Sequence, residues 1–157
     1  MGADPKTPTL NVVMAWMTTN GFDAQGFSKF IQANATEIAY VGINTVLTPT
    51  NLLSYFTLTG GEKPADFSVD TFEKNYNETV GIENFLSQEQ KELGEHTVEV
   101  LHYTFSQGDT QYVTSFYFLE NETQSWKFEF VAPEPDYTEK VTEFEQIVAK
   151  FEPRPGP

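Results

Sequence analysis

Toward the end of the chain, "SWKFEFVAP" alternates apolar and charged positions, and in the stretch that follows, "EPDYTEKVTEFEQIVAKF", the apolar positions recur at three and four. The first rhythm predicts a half-buried strand, with Trp126, Phe128 and Phe130 on a core face and Lys127 and Glu129 on a wet one. The second predicts a helix whose stripe of Tyr137, Val141, Phe144, Ile147, Val148 and Phe151 must lie on a sheet. Glu139, Lys140, Glu143, Glu145 and Lys150 then fall on its solvent side. "APEPD" stops the strand, and Asp136 stands where an N-cap belongs, with Glu139 completing a capping-box-like pair. On this reading Phe144→Asp or Ile147→Asp unfolds the domain by placing an unpaired charge in the core.

Upstream, "HTVEVLHYTF", "QYVTSFYFLE" and "SWKFEFVAP" are β-rich runs joined by the short turns "SQGD" and "NETQ", which predicts an antiparallel meander. "DFSVDTFEKNYNETVG" predicts a helix, capped by Ser68 or Asp66, carrying Val69, Phe72 and Tyr76 and closed by Gly81. The run between them, "IENFLSQEQKEL", fits either period. Nearer the start, Leu10, Val12, Met14 and Trp16 alternate, predicting a strand over "TLNVVMAWMTT". After the turn "NGFDAQ", Phe27, Phe30, Ile31, Ala35 and Ile38 fall at helical spacing. "INTVLTP" and "NLLSYFTLT" read as two short strands ended by "GGEKP".

At 157 residues the chain is the length of one ordinary domain, taken as residues 9–151. Residues 1–8 read as a disordered or expression-derived start, and residues 152–157 as a Pro-rich tail. With 39% hydrophobic residues, 14 Phe and 7 Tyr, there is enough apolar bulk to close a core. A formal charge of −14 repels nucleic acid and anionic membrane surfaces alike, leaving a solvated surface or a docking face for a basic protein or cation. The absence of cysteine excludes disulfides, thiolate metal sites and cysteine nucleophiles. No apolar run is long enough to span a membrane, so a signal or lipid anchor, if one belongs to the protein, lies outside this sequence. Asn34, Asn77 and Asn121 head sequons that matter only in a source that glycosylates.

Candidate chemistry is sparse. His96 and His102, on one strand, share a face but lie about 20 Å apart, too far to chelate one metal. A Ser-His-Asp triad can be assembled from the composition, but no Gly-x-Ser-x-Gly elbow is present. For a hard cation, the loop with Glu120, Asn121 and Glu122 and the helix start with Glu134 and Asp136 are the candidate oxygens, although no Asp-x-Asp-x-Asp-Gly loop exists. Carboxylate pairs of the glycosidase kind can be drawn in many ways from 23 acids. Tyr103, Tyr112, Phe116, Tyr117 and Phe118, on adjacent strands, form a candidate ligand face. Glu120, Glu122, Glu134 and Asp136 form a candidate acidic docking face.

The succession of "FSVDTFEKNY", the Gly-led "LGEHTVEVLHYTF", "QYVTSFYFLE", a strand ending in "FVAP" and a final helix "FEQIVAKF" resembles the PsbP-like and Mog-like superfamily over residues 66–151. Bacterial members of that superfamily are largely envelope lipoproteins. The resemblance implies an α+β fold, an α/β/α sandwich around a central antiparallel sheet, and a docking or assembly role without a shared catalytic residue or cofactor. The expectation is a monomeric, non-enzymatic protein-binding module of the bacterial cell envelope or secreted space. The alternative is a small-molecule or cation-binding domain using the aromatic sheet face or the acidic loops.

Overall fold

The computed structural model describes residues 2–3, 9–46 and 50–153. They form one seven-stranded sheet in the order β1-β2-β3-β7-β6-β5-β4, antiparallel at every pairing. Its strands are β1 (Gly2–Ala3), β2 (Ile38–Ile43), β3 (Tyr55–Glu62), β4 (Phe85–Leu93), β5 (His96–Gln107), β6 (Thr110–Glu120) and β7 (Gln124–Pro133). The helices are α1 (Thr9–Thr19), α2 (Ala24–Ala33), α3 (Val69–Val80) and α4 (Glu134–Ala149), with a 3-10 turn at Ile82–Asn84. Helix α4 covers one face of the sheet, and α3 with the α1–α2 hairpin lies on the other, so the expected α/β/α sandwich is the architecture.

The meander runs from β4 to β7, and the ambiguous "IENFLSQEQKEL" resolves into the 3-10 turn and edge strand β4. Gly94 and Gly108, at φ of 62° and 61°, make the first two hairpin turns in a region that side-chain-bearing residues avoid. Helix α3 begins and ends where its pattern predicts. The Ser68 hydroxyl accepts from the Thr71 amide at 3.4 Å, and Gly81, at φ 90°, closes the helix.

Departures in the elements themselves fall within residues 9–46, where the helix expected from Asp23 is present as α2. "TLNVVMAWMTT" is helical, because Val13 and Met17, one turn apart, pack with Ile31, Ile38 and Val41 in a core between α1, α2 and β2. Val12, which the alternating reading placed inward, is 54% exposed. A short apolar run fits both periods, and the neighbouring α2 decides between them. Helix α2, capped by the Asp23 carboxylate accepting from the Gly26 amide at 2.8 Å, stops at Ala33; Ile38 opens β2 instead of closing a helix. The strand read in "INTVLTP" therefore lies earlier, over Ile38–Ile43, and residues 47–49 are outside the described residues. Met1, residues 4–8 and residues 154–157 are outside them too.

Helix α4 is present, but rotated from the expected stripe. Its buried residues are Asp136, Lys140, Phe144 and Val148, spaced by four. Phe144 is central: its ring stacks on Phe130 at 4.7 Å and packs against Phe56, Tyr117 and Phe128. Ile147 is 47% exposed, so Ile147→Asp is no longer expected to unfold the protein. The N-cap is Pro133 and not Asp136. Asp136 instead sits in the first turn, where an acid suits the helix dipole, and accepts a hydrogen bond from the Thr50 hydroxyl. Lys140, expected in solvent, is 2% exposed.

Candidate functional site

Alternation along paired strands assigns each side chain to a face. Tyr55, Thr57 and Thr59 of β3 stand opposite Val131, Glu129 and Lys127 of β7, which stand opposite Thr114, Phe116 and Phe118 of β6. Tyr103 and Leu101 of β5 continue this row. These residues face α3 and the α1–α2 hairpin. Of the candidate ligand residues, Tyr103, Tyr112, Phe116 and Phe118 belong here, whereas Tyr117 lies on the opposite face beneath α4.

The two covers of this face meet different parts of the sheet. From α3, Phe72 lies edge-on to Phe116 and Phe118 at 4.9 and 5.1 Å, and Tyr76 meets Tyr103 and Phe116 at 4.7 and 4.8 Å. From α2, Phe27 meets Tyr55 edge-on at 5.3 Å. Between those contacts lie Glu129 and Lys127, half-buried and not on the wet face that alternation predicts. Burial pushes the Glu129 carboxyl above its ordinary value, against the attraction of Lys127. Burial likewise lowers Lys127, against Glu129 and Glu37. The Lys127 ammonium rests over the Phe72 ring at 4.8 Å and near Phe116 at 5.5 Å, a cation–π arrangement in place of a close ion pair. Tyr76 is pushed up to about 12, chiefly by burial and then by Glu129.

Beside Lys127, between the ends of β3 and β7 and the start of α3, opens a cleft of ≈ 590 Å³. Phe67, Phe72 and Phe118 make its apolar lining, and Glu62 and Asp66 stand exposed on its rim. The β6–β7 hairpin with Glu120 and Glu122 borders the same end, tied down by a Lys63–Glu120 ion pair of 2.8 Å and by the Lys63 amide donating to Thr123 O. Glu134 and Asp136 lie at the other end of the ten-residue β7, so the acidic candidates do not form one face. Asn121 uses its Oδ1 to accept the Thr123 and Gln124 amides, which shapes this turn. Among the described residues, no group of three His, Cys, Asp or Glu side chains is placed to hold a metal.

Register also builds a polar cluster that no local pattern announces. His102 of β5 lies opposite Ser87 and Ser115. Its Nδ1 is 2.7 Å from Ser115 Oγ and its Nε2 is 2.7 Å from Glu89 Oε1. The Tyr137 hydroxyl of α4 joins Ser115 at 2.5 Å, and Glu145 accepts from Tyr117 and Lys91 at 2.8 Å each. The hydrogen bond from His102 holds Glu89 below its usual range despite some burial. The membership is that of an acyl-transfer triad, but Ser115 is fully buried under Tyr137, and no carbonyl reaches its Oγ unless α4 moves. As placed, the cluster fastens α4 to the sheet. His96, on the same face, contacts Phe151 O at 2.7 Å and plays the matching role at the end of α4.

No family model and no curated protein sequence matches the chain. Solved structures do. A protein of unknown function from Pseudomonas aeruginosa superposes with a TM-score of 0.57 at 12% identity, over 74% of this chain and 83% of its own. Cyanobacterial PsbP from Synechocystis gives 0.52 at 13% identity, over 75% of each chain. The fold is PsbP-like. LpqN of Mycobacterium tuberculosis, described as involved in cell envelope biogenesis, gives 0.51 at 11% identity over 72% of this chain and 69% of its own. At these identities the likeness extends to the fold alone.

Proposed function

We propose that the protein is a non-enzymatic binding module of the bacterial cell envelope or secreted space, and that it docks a basic protein partner at the cleft between β3, β7 and α3. The observation that carries this reading is the combination of an aromatic lining with an acidic rim: Phe67, Phe72 and Phe118 inside, Glu62 and Asp66 at the mouth, and the hairpin with Glu120 and Glu122 alongside. A partner segment that inserts an apolar side chain while presenting Lys or Arg to the rim matches both features. A fold shared with PsbP and with an envelope-biogenesis protein supports the setting. No helix of the described residues is long and apolar enough to cross a membrane.

The test is affinity capture from envelope and secreted fractions at low and high salt, with wild type beside a Glu120→Lys/Glu122→Lys double variant and Phe67→Ala. A partner retained at low salt, released at high salt and lost with both variants is the expected result, because exposed rim charges are screened. A partner set unchanged by salt and by both variants overturns the proposal.

A further inference from the structure

The opposite face of the sheet carries a second concavity that the docking reading does not use. Along the β2 flank of α4 runs a mainly apolar groove of ≈ 590 Å³, walled by Tyr40, Phe56, Leu58, Phe128, Ile147 and Phe151, with Lys150 and Glu152 at the end away from Lys140. At its α4 N-terminal end, a smaller hollow of ≈ 210 Å³ shares Gly42, Ile43, Phe56 and Ile147 with it and has Lys140 and Glu143 in its wall. Gly42 makes the floor possible: a Cβ there would lie 2.2 Å from the Phe56 ring, so any side chain would push that ring into the groove.

Lys140 is the anomaly. Its side chain is 1% exposed, and its ammonium has no hydrogen-bond partner among the described residues. Glu139 and Glu143, both on its own helix, approach to 3.6 and 3.8 Å, close enough to offset the charge but not to accept its protons. Glu143 also accepts from Asn44 Nδ2 at 2.6 Å. A buried ammonium carries three donors and is costly to leave unsatisfied. Among the described residues, none supplies that ammonium with an acceptor in the hollow it lines.

We infer that this groove binds an elongated apolar molecule ending in a carboxylate, with the carboxylate on Lys140 and the chain laid along α4 toward Phe151. From Lys140 to Ala149, the last helical residue, is about 14 Å at the helical rise of 1.5 Å, room for a fully extended chain of about ten carbons. The donor end and the apolar wall thus stand in the order such a molecule needs.

The whole chain's charge makes the inference easy to break. A protein at −14 should attract a cationic amphiphile over an anionic one unless a specific group reverses that order. Calorimetric titration with decanoate and with decylammonium, both below their micelle concentrations, reads the order directly. Wild type is expected to prefer decanoate by about tenfold or more, the size of one charge-assisted hydrogen bond. Lys140→Met is expected to remove that preference, with thermal melts showing that it folds. Ile147→Glu, on the exposed groove wall, is expected to weaken decanoate by about tenfold without moving the melt, and serves if Lys140→Met fails to fold. Equal binding of the two amphiphiles, preference for the cation, or no binding of either by wild type overturns the assignment. So does a decanoate preference that survives in a folded Lys140→Met.

Discussion

The two faces of the sheet are built from similar strands and are covered differently. On one, α4 lies over Phe56, Tyr117, Phe128 and Phe130 with Phe144 at the centre, and its flanks are pinned by Asn44 to Glu143 on one side and by Lys91 and Tyr117 to Glu145 on the other. On the other, α3 and the α1–α2 hairpin meet the sheet at Phe116 and at Tyr55, leaving Glu129 and Lys127 between them. A single helix pinned along both flanks makes a dry centre and leaves its concavity at one margin. Two separate covers leave theirs beside the start of α3, where the half-buried Lys127 lines it.

The largest effect should come from the sealed face. Phe144→Asp removes the ring at the centre of the core and buries an unpaired carboxylate, and is expected to destabilise by about 4 kcal/mol or more, enough to abolish cooperative unfolding at 25 °C. On the other face, Phe72→Ala removes the contacts of α3 with Phe116 and Phe118 and should cost about 3 kcal/mol, read from denaturant midpoints. If the two substitutions cost the same, the faces are equally sealed and the contrast fails.

A smaller effect of opposite sign belongs to the charged pair. Burial raises the Glu129 carboxyl above its unfolded value, so between the two values the folded state holds the extra proton. Stability from this group is therefore lost as pH rises through the folded-state value, and Glu129→Gln should melt higher than wild type at pH 7. The difference should vanish below about pH 4, the ordinary range of a glutamate. A variant that melts lower than wild type at pH 7 would show that the attraction of Lys127 outweighs burial. Smallest of all, Ile147→Asp is expected to shift stability by about 0.5 kcal/mol or less, since the side chain stands on the exposed flank of α4. The pair Phe144→Asp and Ile147→Asp, three residues apart, thus reports which side of α4 faces the sheet.

The reading of α4 shows how far sequence pattern reaches. That a helix follows β7 was legible, because an apolar residue recurs at every turn. Which arc of it is buried was not, since a wide stripe including Ile147 fits the sequence as well as a narrower one through Asp136, Lys140, Phe144 and Val148. Lys140 argued for solvent and Asp136 for an N-cap; the Thr50 hydroxyl accounts for the inward Asp136, and Glu139 and Glu143 flank the buried Lys140. Lys127 and Glu129 misled in the same manner: alternation assigned them correctly to the face away from Trp126, but it carries no information about what covers that face.

Strong local signals were enough to place the meander with its short turns, α3 with Ser68 and Gly81 at its ends and the last helix, and through them the α+β class. Local propensity, turn chemistry and periodicity act within a few residues and need no partner to be read. Tertiary structure decided that "TLNVVMAWMTT" is a helix, that β2 begins at Ile38, that Glu89, His102 and Ser115 meet, and that the aromatic candidates divide between two faces with Tyr117 alone under α4. Each of those outcomes depends on which surface a segment packs against, and that surface is supplied by residues distant in the chain.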